Sequence, residues 1–223
     1  MFGLPMTFNV ESYKQYRIIM RGYLENEAPL IAAAMSRYNI QKFITLNHSL
    51  TEEAELEWIR AAATASDSVV WAICVATDDD DIYGTAIGTT SIDSIKHSRG
   101  TSGIVIYNEQ YWGKGIASAC HRARCLYSQD VLELKAIDSD VISGNGASLH
   151  VLESVGYVKT GIKYSGWYSA GKWHDCHALT WVSPRENLWD YFWGENTPPV
   201  EFEDARIVAQ NALQRAKREV SYV

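Results

Sequence analysis

Apolar runs alternate with polar breaks from residue 16 onward, and the length of each run sets the element it predicts. Residues 16–23 read as a strand. Residues 25–37, rich in alanine and leucine, read as a helix. Residues 51–64 read as another, with Ser49 and Thr51 as caps and Glu52, Glu53 and Glu55 in its first turn, the sign that end of the helix dipole favours. Two strand-like runs, 68–76 and 82–92, flank Asp78-Asp79-Asp80-Asp81. Four like charges do not continue a strand, so a hairpin loop is expected there. A short apolar strand at 102–107, a helix at 115–128, a strand at 132–142 and a short helix at 147–155 follow. The last two strands, 157–169 and 172–182, read as an antiparallel pair joined by Ser-Ala-Gly.

The order is therefore β, α, α, β, β, β, α, β, α, β, β. An antiparallel run followed by a strand–helix–strand crossover predicts an α/β (α+β) fold, with a mixed, mostly antiparallel central sheet flanked by helices. After Pro184 the character changes. Trp189, Tyr191, Phe192 and Trp193 crowd residues 187–193, Thr197-Pro198-Pro199 breaks the chain, and 201–219 reads as one more helix. We divide the chain into a domain over 1–183 and an aromatic, helical C-terminal extension over 184–223, because about forty residues rarely sustain a core. The extension's aromatic side chains are expected to pack on the domain or on a second subunit.

Composition narrows the class. The 223 residues are 47% hydrophobic and 21% charged, which excludes disorder as the main state. No apolar run approaches the roughly 18 to 20 residues of a bilayer helix. The N-terminal Met-Phe-Gly-Leu-Pro-Met lacks the basic start and apolar stretch of a signal peptide. A net charge of −7 does not suit a phosphate backbone, so nucleic acid is not expected as a partner, and without a bilayer-length apolar run neither is a membrane. Cys74, Cys120, Cys125 and Cys176 form no Cys-x-x-Cys pair, hence neither a disulfide framework nor a zinc spacing. They read as reduced thiols, three of them buried, in a cytoplasmic protein. His174, Asp175, Cys176 and His177 alternate faces along their strand, so no metal site is expected.

The chemistry lies between Ser102 and Gly156. Tyr111-Trp112-Gly113-Lys114-Gly115-Ile116-Ala117 follows a strand and opens a helix. Backbone N–H groups at a helix start, freed of side chains by glycine, form a concavity for a phosphate or pyrophosphate, although a plain strand–helix turn has the same pattern. Gly-x-x-x-x-Gly-Lys is missing, and Ser118 stands where Gly-x-Gly-x-x-Gly needs its third glycine. Further on, Asn145-Gly-Ala-Ser148 begins a short helix that ends at Gly156 in a C-cap position. Asn145 reads either as that helix's N-cap or as a ligand contact.

Taken jointly, Trp-Gly-Lys-Gly-Ile-Ala over 112–117, a strand, Asn-x-x-Ser over 145–148 and then Gly156-Tyr157 resemble the GNAT superfamily of acyl-CoA-dependent N-acetyltransferases. The nearest resemblance is to its RimJ/RimL-type branch, which Gly171-Lys-Trp-His-Asp175 also resembles. The similarity is strong over 103–161 and loose over 16–92. It implies acetyl-CoA as co-substrate, with no metal. The amides of Gly113, Lys114, Gly115, Ile116 and Ala117, with Trp112 at the head of the loop, would hold the coenzyme A pyrophosphate. The backbone of Ile104, Val105, Ile106 and Tyr107 would run beside the pantetheine arm. Asn145 would contact that arm and Ser148 would lie near the departing thiolate, which makes these two the catalytic candidates. The activity implied is acetyl transfer to a primary amine, of a protein N-terminus or a small molecule, by direct attack. A catalytically silent acyl-CoA-binding module is the alternative. The partners implied are an amine-bearing acceptor and, through the extension, a second copy of the chain.

The chain departs from the family at three places. Leu152 stands where many members have a tyrosine that protonates the thiolate, and Ala119 and Thr160 stand where relatives often carry glutamate. The candidate bases left are Glu109, Asp138, Asp140, His150 and Asp175, the first four of which read more readily as surface groups.

Overall fold

The computed structural model describes residues 1–10, 16–44, 48–78 and 80–223. In chain order these form strands β1 (Met6–Val10) and β2 (Tyr16–Arg21), then helices α1 (Ala28–Met35), α2 (Tyr38–Gln41) and α3 (Glu52–Thr64). Strands β3 (Val69–Val75), β4 (Thr85–Lys96) and β5 (Arg99–Ile106) lead into α4 (Ile116–Asp130). After β6 (Ala136–Ile142) and α5 (Gly146–Glu153) come β7 (Tyr157–Ser169) and β8 (Lys172–Val182). The chain closes with α6 (Glu186–Trp193), α7 (Val200–Glu219) and β9 (Ser221–Tyr222).

Among the described residues the strands make one nine-stranded sheet in the order β7-β8-β6-β5-β4-β3-β2-β1-β9. Every neighbouring pair is antiparallel except β5 and β6, which are parallel across the α4 crossover. This is the mixed, mostly antiparallel sheet that the pattern predicts. Strand β3 is buried at every position because its two faces feed two cores. Val69, Trp71, Ile73 and Val75 pack with Ile116, Ala119, Cys120 and Ala123 of α4. Val70, Ala72 and Cys74 pack with Ile31, Ile59 and Ala62 of α1 and α3. Helix α3 starts as expected, with the Thr51 hydroxyl accepting from the Ala54 amide at 3.2 Å.

The described residues of the aspartate run, Asp78, Asp80 and Asp81, lie in no helix or strand. The Asp81 carboxylate accepts from the amides of Gly84, Thr77 and Tyr83, and these bonds hold its pKa down to about 2. Asp79 lies outside the described residues. Several boundaries differ from expectation. Strands β4 and β5 run on to meet at His97-Ser98, a two-residue turn with φ of 50° and 58°. Strand β6 starts late because Glu133 takes φ 53° and the Lys135 amide donates to the Ser98 carbonyl at 2.7 Å. Strands β1 and β9 and the short α2 are additions, and all four cysteines are buried rather than three. No helix among the described residues is long and apolar enough to cross a membrane.

After Pro184 the chain returns to the sheet. Ala209, Ala212, Leu213 and Ala216 of α7 join a core with Leu152, Val155, Tyr157 and Trp181. Strand β9 then pairs with β1, Tyr222 opposite Met6. The α6 aromatics pack within the chain: the Trp193 ring lies 4.7 Å from Trp189 and 5.1 Å from Phe202, and Lys135 Nζ sits 3.5 Å over Tyr191. Helix α7 comes close because Gly156 has no side chain. A Cβ there would stand 2.7 Å from Ala209 Cβ and 2.8 Å from the Ala205 carbonyl, at φ +96°. Gly156→Ala is therefore expected to cost about 2 to 4 kcal/mol, from overpacking and backbone strain together. Urea denaturation measures it, and an unchanged midpoint would show that α7 yields freely.

Candidate acyl-coenzyme A site

The parallel pair β5–β6 carries the first feature of the site. Its ladder holds only three residue pairs, from Arg99 opposite Ala136 to Thr101 opposite Asp138. Just above, the Ser139 hydroxyl donates to the Ser102 carbonyl at 3.3 Å. Beyond it both strands run on, to Ile106 and Ile142, without pairing with each other. The result is a fork in the sheet, with the backbone of Ile104, Val105 and Ile106 along one edge. Tyr107 closes the top: it is buried, and its amide donates to the Ile87 carbonyl at 2.9 Å, so that group is turned to β4.

The loop from β5 to α4 is the second feature. The Trp112 indole donates to the Ile106 carbonyl at 2.7 Å and ties the loop to the end of the strand. Gly113 and Gly115 take φ of +70° and +77°, a left-handed conformation that side chains disfavour. A Cβ on Gly113 would meet nothing within 4 Å among the described residues, so toward them the loop presents bare backbone. Gly115 is the N-cap of α4, and helix geometry leaves the amides of Ile116, Ala117 and Ser118 without intrahelical acceptors. Open amides at the positive end of a fifteen-residue helix suit a diphosphate.

Helix α5 begins beside the other prong of the fork. Asn145 is its N-cap, with Oδ1 accepting from the Ser148 amide at 3.2 Å. The capping role is thus real, and it uses only the oxygen of the side-chain amide. Ser148 is half-buried, and its hydroxyl makes no hydrogen bond among the described residues.

A family model described as an acetyltransferase (GNAT) domain matches residues 17–158, well over half of the chain. The protein belongs to the GNAT acetyltransferase family. This GNAT chain is 27% identical over 173 residues to the uncharacterized N-acetyltransferase YoaA of Bacillus subtilis, covering 76% of the present chain and 96% of that one. Its fold matches the spermidine N-acetyltransferase of Vibrio cholerae in complex with CoA and spermine, with a TM-score of 0.67 at 18% identity, over 74% of this chain and 95% of that one. It also matches Mycobacterium smegmatis RimJ in complex with CoA-disulfide, with a TM-score of 0.68 at 15% identity, over 93% of this chain and 95% of that one. The RimJ match is long enough to reach past Pro184, so part of the extension has a structural counterpart.

Within this GNAT domain, Leu152 is fully buried in the core one turn beyond Ser148. Most of the candidate bases have partners. Glu109 is bonded to Asn39, Asp138 to Arg99 and Thr180, and Asp140 to Lys163 at 2.6 Å. Asp175 accepts from the Ser165 amide at 2.9 Å, and His150 is exposed on α5. On the face away from α4, helix α3 and strands β3 and β4 line an open cavity of about 340 Å³. Trp58, Ser91 and Asp93 line it, and Ser91 lies opposite Gly103 of β5. The sequence reading missed two buried polar residues of α4, His121 and Arg124. Their signal was a histidine and an arginine three apart within the apolar helix 115–128.

Proposed function

We propose that the protein is an N-acetyltransferase of the RimJ/RimL-type branch, moving the acetyl group of acetyl-CoA to a primary amine by direct attack in a ternary complex. One observation carries the reading: the fork and the bare glycine loop share strand β5, and the Trp112–Ile106 bond joins them. A diphosphate on the α4 N-terminus would then have its attached arm directed into the fork. Acetyl-CoA bound so would supply the thioester. The chain's part is to hold it, to orient the carbonyl against free strand N–H groups, and to exclude water. The amide nitrogen of Asn145, free of the cap, faces the arm in this reading.

The acceptor amine must be neutral to attack, and its proton passes to water at the mouth of the site, since Asp138, Asp140 and Asp175 are engaged elsewhere. The carboxylate and indole of the α3 cavity suit an organic cation, which favours a small amine. Calorimetric titration with acetyl-CoA, followed by thiol release with spermidine, an aminosugar and a peptide with a free N-terminus, tests the reading. Absence of acetyl-CoA binding overturns it, and binding without turnover on any amine leaves a silent binding module.

Ser148 is the nearest hydroxyl to the departing sulfur in this reading. Ser148→Ala is expected to lower kcat about tenfold, below the usual range for a proton donor because a thiolate leaves easily. Affinity for acetyl-CoA and Tm stay at the parental values. Lower stability with parental turnover would return Ser148 to a structural role.

A further inference from the structure

Arg124 stands out among the described side chains. It is fully buried on α4, and no carboxylate among the described residues pairs with it. Nη1 donates to the Gly103 carbonyl at 2.8 Å and to Thr90 Oγ1 at 2.7 Å, and the Thr90 hydroxyl donates to the same carbonyl at 2.9 Å. Nη2 donates to His121 Nδ1 at 2.6 Å. A guanidinium has only donors, so Nδ1 accepts and His121 is the neutral Nε2–H tautomer. Burial first, then the charge of Arg124, hold its pKa well below the ordinary value. The other titratable groups that feel Arg124 are neutral as well. Burial pushes the Cys120 and Cys125 thiols up to about 12 and raises Tyr157, whose hydroxyl bonds Ser102.

A buried positive charge is thus balanced by dipoles alone, an arrangement that costs stability. Its place is specific. Gly103 is the second residue of β5 beyond the last β5–β6 pair, at the crotch of the fork. We propose that Arg124 is a positioning residue for acetyl transfer: it anchors the β5 backbone where the strands part and sets a fixed positive charge behind it. The inference rests on the function proposed above. In that reaction the amine nitrogen forms a bond to the thioester carbon, and the carbonyl π pair moves to oxygen. The pair then returns as the C–S bond breaks, the thiolate leaves with its electrons, and the amine proton goes to water. Negative charge develops first on oxygen and then on sulfur, beside the β5 backbone and in front of the guanidinium.

Two variants of the full chain separate charge from packing. Arg124→Gln keeps a donor for Gly103 and removes the charge. Arg124→Lys keeps the charge and loses the fork of donors. With saturating acetyl-CoA and the best amine of the panel, or thioester hydrolysis by water where none is accepted, Arg124→Gln is expected to lower kcat at least tenfold. Its Kd for acetyl-CoA stays within about twofold and its Tm is unchanged or higher. Arg124→Lys keeps at least a third of the parental kcat. Parental kcat in Arg124→Gln, or equal impairment in both variants, overturns the proposal while leaving the proposed function intact. Loss of Tm, affinity and kcat together in Arg124→Gln also overturns it, since that is the mark of packing alone. A parental chain that binds no acetyl-CoA removes the proposed function and this proposal with it.

Discussion

Gly113→Asp and Gly115→Asp are each expected to weaken acetyl-CoA binding at least tenfold, about 1.4 kcal/mol, and together about a hundredfold. The expectation follows from what the two glycines leave open. Among the described residues neither supports the fold by contact: a Cβ on Gly113 meets nothing within 4 Å, and one on Gly115 meets only Val10 Cγ1, at 3.6 Å. Each takes a positive φ, and aspartate tolerates that region better than most side chains, so the loss of stability is about 1 kcal/mol per site. A carboxylate on this loop would then stand where a diphosphate must approach the α4 amides, adding like-charge repulsion to the lost space. Gly113→Ala is the control: it carries the backbone strain without the charge and is expected to lose less. Calorimetric titration and a melting curve on each variant check the result. Parental affinity in folded aspartate variants removes the diphosphate assignment.

The conformation of that loop was legible because it is local. A strand, two close glycines and a helix start lie within about ten residues, and backbone amides do not depend on distant partners. The helix caps were legible for the same reason: the Thr51 and Asn145 side chains bond amides three residues on. The fork was not legible. Where β5 and β6 stop pairing depends on register between segments more than thirty residues apart, and nothing in 102–107 or 132–142 marks it. The β4–β5 turn was missed because His97 and Ser98 adopt positive φ without the Asn-Gly pair that usually announces such a turn. Strand β9 is two residues long and exists only because β1 offers it an edge. Arg124 defied the pattern more deeply. An arginine on an apolar helix face reads as an interruption, and only its contacts with Thr90 and Gly103 give it a place.

Removal of residues 184–223 is expected to lower Tm by at least about 10 °C and to change the sedimentation behaviour of the chain. The first effect comes from the core. Truncation takes Leu213 and three alanines of α7 away from Leu152, Tyr157 and Trp181. Losing one buried leucine alone costs about 2 to 5 kcal/mol, and a chain of this length loses about 2 to 4 °C per kcal/mol. The Arg122 guanidinium, nearly buried, also loses Glu219 at 3.0 Å and is left without that partner. The second effect comes from the sheet. With β9 gone, β1 becomes an edge from Met6 onward, and an unpaired edge is a template for another chain. Leu213→Ala in the full chain separates the two effects, because it lowers Tm while β9 still covers β1. Scanning calorimetry and sedimentation velocity read both. A truncated chain that matches the parent in melting, solubility and sedimentation would mean that α7 contributes no net stability and that β1 needs no cover.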